Sequence, residues 1–393
     1  MKASLSLLSL LAGLPTLLAN PGPSVPIAGA AYFISNQLDG NYVISSEIGF
    51  DGKLTVKSAT SAGGLGSAVI LPAGPQPDPL SSQASVAVSG NFLYTVNAGS
   101  NTLAAFAINP KDPTQLQLIG KPVNTGGEFP TSVAVSKKTG LICVLNGGKV
   151  NGVNCFKQNP KNLVPAPNTL RLLNLNVTTP PFPGNQTAFG QVMFNPSETQ
   201  LIVTVQAVFV PSVHGYLAVW DVSPFTGALS TTSKEIDVTG PAGPAIVPFG
   251  MVNIPGQNAV LASDPAFGYD IFDLSGRNRS ARFTIPNQKA TCWAVTSPKT
   301  NTIFLVDANG ANVIEVSVDK NLGSSIVQQY PLGNTSFPID ATIVSVKGKE
   351  YLYVNDPGQN AILVFFVPAP GKATLVQKLA LGAPLKQLRV TAG

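Results

Sequence analysis

Charged side chains are scarce in this chain: only 11% of its 393 residues are Asp, Glu, Lys or Arg, and it contains a single histidine. The net charge of +5 is spread thinly, with no basic run, so the clustered Lys/Arg footprint of a nucleic-acid-binding surface is missing. One histidine, three cysteines and scattered acids do not make up a transition-metal site, and none is expected. There is no Gly-x-Ser-x-Gly elbow, phosphate loop or dinucleotide fingerprint, which argues against Ser-hydrolase and nucleotide chemistry and implies no cofactor. Beyond the first residues no apolar stretch is long enough to span a membrane, and no helical periodicity of useful length occurs. What is abundant points elsewhere. Hydrophobic residues make up 44% of the chain, with 37 glycines and 34 prolines. That balance suits an all-β protein rich in tight turns and opposes disorder.

The N-terminus reads as a secretory signal over residues 1–19, with Lys2 as the positive region and Leu5 to Leu18 as an apolar core too short to cross a bilayer. Cleavage near Ala19 leaves residues 20–393 as one domain, expected to be secreted and either extracellular or associated with the cell wall. Four sequons, at Asn176, Asn185, Asn278 and Asn334, agree with export and predict surface glycosylation. Cys143 and Cys155 lie on the two arms of a hairpin, equidistant from its centre at Lys149. Such symmetry places two side chains opposite each other, and an oxidising route favours their disulfide. Cys292, beside Trp293 in an apolar strand, is expected to stay free and buried.

One hairpin recurs seven times. The first strand of each copy ends in Ile34-Ser35-Asn36, Thr95-Val96-Asn97, Val144-Leu145-Asn146, Thr204-Val205-Gln206, Ala262-Ser263-Asp264, Leu305-Val306-Asp307 or Tyr353-Val354-Asn355. Copies recur every 40–60 residues or so, roughly the period of a β-propeller blade. Inner strands such as Ser85-Val86-Ala87-Val88 and Ala341-Thr342-Ile343 precede the hairpins, and outer strands such as Leu116-Gln117-Leu118-Ile119 follow them. The first hairpin has no inner strand before it, while Gln387-Leu388-Arg389-Val390-Thr391 is a spare strand at the other end. The expectation is an all-β, seven-bladed propeller closed by a C-terminal strand in the first blade, with Leu388 to Thr391 paired to Tyr32 to Ser35.

Segments such as Phe129-Pro130-Thr131-Ser132-Val133-Ala134-Val135 and Phe194-Asn195-Pro196-Ser197 resemble the seven-bladed lactonase superfamily. Tyr32-Phe33-Ile34-Ser35-Asn36-Gln37, Gly49-Phe50-Asp51-Gly52-Lys53-Leu54 and Ser61-Ala62-Gly63-Gly64 look especially like secreted fungal proteins of the carboxymuconate cyclase type. The resemblance covers essentially the whole mature chain. It implies a secreted glycoprotein that forms or opens a lactone on a small anionic carboxylate. Family enzymes place His, Arg and acidic residues around the channel mouth, whereas Phe129-Pro130-Thr131, Ala188-Phe189-Gly190-Gln191 and Pro248-Phe249-Gly250 carry neither His nor Arg at the corresponding positions. A second reading therefore stands beside the enzyme: a non-catalytic propeller whose open face binds a cell-wall glycan or a protein.

Propeller topology puts the starts of the inner strands on the same face as the turns that follow the repeated Asn and Asp. Those Asn and Asp side chains are expected to serve their turns. On that face the candidate catalytic residues are His214, Asp340 and Arg389. His214 sits in a turn longer than its siblings and supplies a group that titrates near neutrality. Arg389 takes the place of small Ala87 and Ala134 and needs an anionic partner, either Asp340 or a bound carboxylate. Lys386, Lys289 and Gln191 are the candidate substrate-binding residues.

Overall fold

The structure, a computed structural model, describes residues 27–70, 77–181, 188–207, 214–238, 245–388 and 390–391. The signal segment, Asn185 and Arg389 lie outside the described residues. The described chain forms seven sheets of consecutive antiparallel strands arranged as a β-propeller, the first sheet also taking in a strand from the C-terminal end. Turns are set by residues that tolerate left-handed backbone. Asn101, Asn301 and Asn360 have φ of 55°, 56° and 49° in the connections between strands, the conformation that Asn adopts more readily than most residues.

The core is divided in the same way as the sheets. Among the described residues, seven buried apolar clusters form, one at each interface between neighbouring blades. Alternation along each strand sends successive side chains to opposite neighbours. In the first strand of blade 1, Ala31 and Phe33 pack towards blade 7, while Tyr32 and Ile34 pack towards blade 2. Cys143 and Cys155 are direct partners across their hairpin and form the disulfide within the interface of blades 3 and 4. Cys292 is free and partly buried.

Closure of the ring corrects the expected register. A C-terminal strand does join blade 1, but Val390–Thr391 runs parallel to Leu54–Ser61 on the outer edge, with Ala59 opposite Val390 and Thr60 opposite Thr391. It does not pair with Tyr32 to Ser35. After the outer strand of blade 7 ends at Ala380, Gly382–Gln387 forms a helical turn with Pro384 near its start, a position where proline is accommodated. That turn intervenes between blade 7 and the closing strand, of which Val390–Thr391 pairs at the outer edge.

Blades 3 to 6 are bridged by a strap, Ser82-Gln83-Ala84. The Gln83 N–H donates to Gly190 O at 2.9 Å in blade 4. The Gln83 side chain bonds both backbone groups of Ala294 in blade 6: Nε2 donates to the carbonyl and Oε1 accepts from the N–H, each at 2.9 Å. In blade 3, Ser132 Oγ donates to Gln83 O at 2.7 Å, and Val133 N–H donates to Ala84 O at 2.8 Å. Trp293 Nε1 donates to Ser82 O at 3.2 Å. Blade 5 accommodates the strap by having no side chain where it passes, since a Cβ on Gly250 would lie 2.1 Å from Gln83 Oε1 and 2.7 Å from Cys292 O.

Two stability measurements check this arrangement. Gly250→Ala should destabilise the protein by about 2–4 kcal/mol through overpacking, with part of the loss recovered when Gln83→Ala is added. Denaturant titration of the single and double variants decides it, and an unchanged midpoint for Gly250→Ala would refute the tight packing at the hub. Replacing both Cys143 and Cys155 by Ala should lower stability by about 3 kcal/mol through the lost loop constraint, read in the same titrations.

Candidate active site

Blade 1 starts one strand late. Its Gly29–Ile34 runs into Asn36 as the second strand of blade 2 runs into Asn97, so no described strand occupies the inner position of blade 1. The space between the inner strands of blade 7 (Ile339–Val346) and blade 2 (Val86–Ser89) is a cavity of about 730 Å³. Its size falls in the range of small-molecule sites. Phe33, Ile34, Val86 and Ile343 give it apolar walls, and the loop leading into the strap, Pro77 to Ala84, closes one side.

Two carboxyls, Asp78 and Asp340, line this cavity. Asp340 is turned towards it by a β-bulge, since Ile339 pairs with Asn355 and Ala341 with Val354, leaving Asp340 as the extra residue. Bulges commonly re-aim a side chain in this way. The same irregularity recurs at Thr131, Gln191 and Cys292 in blades 3, 4 and 6, so the inner strands share one device for directing a residue at the axis. Asp78 is placed by the loop before the strap. That loop is held by Val69 N–H donating to Pro79 O at 2.8 Å and is flanked by left-handed Ser81 and Ala84, with φ of 49° and 65°. Left-handed non-glycine residues persist where surrounding bonds over-determine them.

Enclosure by protein raises the Asp78 carboxyl to about 7, with the nearby Asp340 charge as the second cause; the backbone amides of Ser81, Leu80 and Ser82 work in the opposite direction. Asp340 is also pushed up to about 7 by burial, against the pull of the Ala341 N–H, which donates to Oδ1 at 2.9 Å. Burial, then the charges of Asp78, Asp307 and Asp264, push the Cys292 thiol well up. It is therefore held as a thiol, a poor nucleophile.

The other sequence-derived candidates are dispersed. His214 lies on blade 4 with its side chain 47% exposed and Nε2 3.5 Å from Asp237 Oδ2. Gln191 is buried, and its Oε1 accepts the Met251 N–H at 2.6 Å, which fastens blade 4 to blade 5. Lys289 is exposed, and its backbone N–H donates to Asp307 Oδ2 at 2.9 Å. Lys386 is exposed on the helix after blade 7. Of these residues only Asp340 lines the cavity.

Of the repeated Asn and Asp, Asp264 and Asp307 serve their turns by accepting from Ala266 and Gly310 N–H, whereas Asn97 donates to Ala62 O and Asn146 accepts from Thr125 Oγ1 in the preceding connection. Asp264 also accepts from Ile246 and Val247 N–H, and Asp307 from Lys289 and Ala290 N–H. In the last blade Asp356, not Asn355, does this by accepting from Phe337 N–H at 2.9 Å. Among the described residues, no three His, Cys, Asp or Glu side chains are grouped so as to hold a metal ion. Asp78 and the strap were missed by sequence reasoning. Their signal was the length of the connection from Ser61 to Val86, the longest between successive described strands.

Residues 50–168 match the family described as "Lactonase, 7-bladed beta-propeller". None of the curated proteins matches the sequence. Among solved structures, a putative 6-phosphogluconolactonase from Bacteroides fragilis is similar, with a TM-score of 0.63, 16% identity, and 91% of this chain and 97% of that one covered. A putative 6-phosphogluconolactonase from Bacteroides uniformis has a TM-score of 0.61 and 15% identity over 86% of this chain and 92% of its own. The periplasmic gluconolactonase of Pseudomonas aeruginosa has a TM-score of 0.55 and 14% identity over 74% and 82%. At these identities the likeness is one of fold, a β-propeller like those of the gluconolactonases named above.

The raised carboxyls make stability depend on pH in a defined direction. A carboxyl that titrates near 7 when folded and near 3.8 when unfolded favours the folded state most below about pH 4. That contribution is lost as pH rises to about 7. Asp340→Asn should therefore raise stability at pH 8 by about 1–3 kcal/mol, allowing for partial solvent access, and leave it nearly unchanged at pH 4. Thermal melts at the two pH values check this; an equal shift at both would contradict a raised Asp340.

Proposed function

From a lactonase-type propeller with two enclosed carboxyls on one cavity, we propose that this protein is a secreted glycoprotein that opens a lactone ring through Asp78 and Asp340. The observation that carries the reading is the pair itself. Two carboxyls on one cavity, each raised to about 7, titrate near neutrality, so that one can serve as base and one as acid. The ionised member takes a proton from water as its oxygen bonds to the lactone carbonyl carbon. The protonated member then donates to the ring oxygen as the carbon–oxygen bond breaks, giving the open hydroxy acid. Export is supported by the signal-like N-terminus, by the disulfide, and by the exposure of Asn176, Asn278 and Asn334 in their sequons.

The test is turnover of aldonolactones by the purified protein, followed by acid release. Asp78→Asn and Asp340→Asn should each lower kcat by about a hundredfold or more, with a bell-shaped pH profile centred near neutrality in the parent. Activity lost in His214→Ala but retained in both carboxyl variants would move the site to blade 4. No turnover of any lactone would leave the alternative, an extracellular propeller that binds a glycan or protein.

A further inference from the structure

The cavity carries a charge pattern and an unpaired strand edge that together define what fits it. Among the described residues lining it, the only groups that ionise near neutral pH are Asp78 and Asp340, and no Lys, Arg or His joins them. The remaining titratable neighbours do not offset those charges. Tyr32 OH donates to Pro113 O at 2.6 Å and Tyr353 OH to Gly52 O at 2.9 Å. Both phenols are pushed up, Tyr32 to about 12, and the Cys292 thiol beyond Asp78 is raised as well. Among the described residues an anionic ligand would therefore meet one or two carboxylates and no cation in a poorly screened space.

Among the described residues, the strand Gly29–Ile34 has a partner on one side only. Ser35 N–H donates to Tyr42 O, and the antiparallel alternation continues back from that pair. The backbone N–H and C=O groups of Ala30, Tyr32 and Ile34 consequently face the cavity. Alternate residues of a strand stand about 6.7 Å apart, so this edge offers a row of donors and acceptors to a ligand bearing several hydroxyls.

We infer that the cavity takes an uncharged, polyhydroxylated lactone lying along the open edge of Gly29–Ile34, and rejects phosphorylated or carboxylated lactones at and above neutral pH. The inference rests on the lactone reading of this cavity and narrows it. It departs from the anionic substrate expected from the sequence because the lysines behind that expectation, Lys289 and Lys386, are not at the cavity. As pH falls below 7 the carboxyl pair takes up protons, and the discrimination against anions relaxes.

Calorimetry on the full chain with D-gluconolactam and its 6-phosphate, which cannot be hydrolysed as lactones, tests binding apart from turnover. The neutral compound should bind at least about tenfold more tightly at pH 8, with the ratio shrinking at pH 5.5. Asp78→Asn or Asp340→Asn should reduce the ratio at pH 8, and either variant suffices if the other fails to fold. Hydrogen exchange should slow at the amides of Ala30, Tyr32 and Ile34 when the neutral lactam is bound. Equal or tighter binding of the phosphate at pH 8, no binding of either compound, or unchanged exchange along this edge would overturn the inference. Tight, selective lactam binding without turnover of any lactone would instead overturn the hydrolytic reading and leave the inference standing.

Discussion

The strap through Gln83 is the constraint on which the centre of this propeller depends. A ring of blades leaves inner-strand carbonyls and N–H groups pointing at an axis, and buried backbone groups need partners. Here one extended segment supplies them to several blades at once, with the Gln83 amide matching both backbone groups of Ala294. Such a plug fits only where side chains are absent. This accounts for Gly250 beside the amide, while Gly190, whose Cβ would lie 2.4 Å from Phe249 O, lets blades 4 and 5 approach closely.

The same strap makes the cavity chemical rather than merely empty. Asp78 lies five positions before Gln83, so anchoring the amide fixes where that carboxyl can sit. Asp340 arrives from the opposite side on a bulge of blade 7. Neither carboxyl is placed by a helix or a regular strand. One depends on a loop tied down at the hub and the other on a local irregularity, and their proximity is a property of the closed ring. Enclosure disfavours ionisation of either group, and the Asp340 charge raises Asp78 further. The stability forgone at neutral pH is offset by packing elsewhere, through seven interface clusters and a disulfide buried in one of them.

That no described strand fills the inner position of blade 1 is both the origin of the cavity and a liability. An unpaired edge invites pairing with another chain. In this fold the edge is sheltered between the inner strands of its neighbours rather than exposed at the rim. Val390–Thr391 adds to the opposite edge of the blade, so the ring is joined without filling the space.

Much of this was legible in the chain itself. The repeated hairpin specified seven blades because side-chain alternation and turn chemistry are local. The symmetry of Cys143 and Cys155 about Lys149 specified a cross-strand pair for the same reason. Asp340 could be placed on the right face from topology alone. Tertiary structure decided the rest. Whether Leu388 to Thr391 pairs with the inner or the outer edge of blade 1 depends on a helical turn and on reach, which periodicity does not report. That Gln191 fastens two blades, and that His214, Lys289 and Lys386 lie apart from Asp340, follows from radial position, to which a two-residue repeat is blind. Asp78 carried no local signal beyond its long loop, because its chemistry arises from enclosure and from a carboxyl more than two hundred positions away. Local rules wrote the blades; only closing the ring brought the acids together.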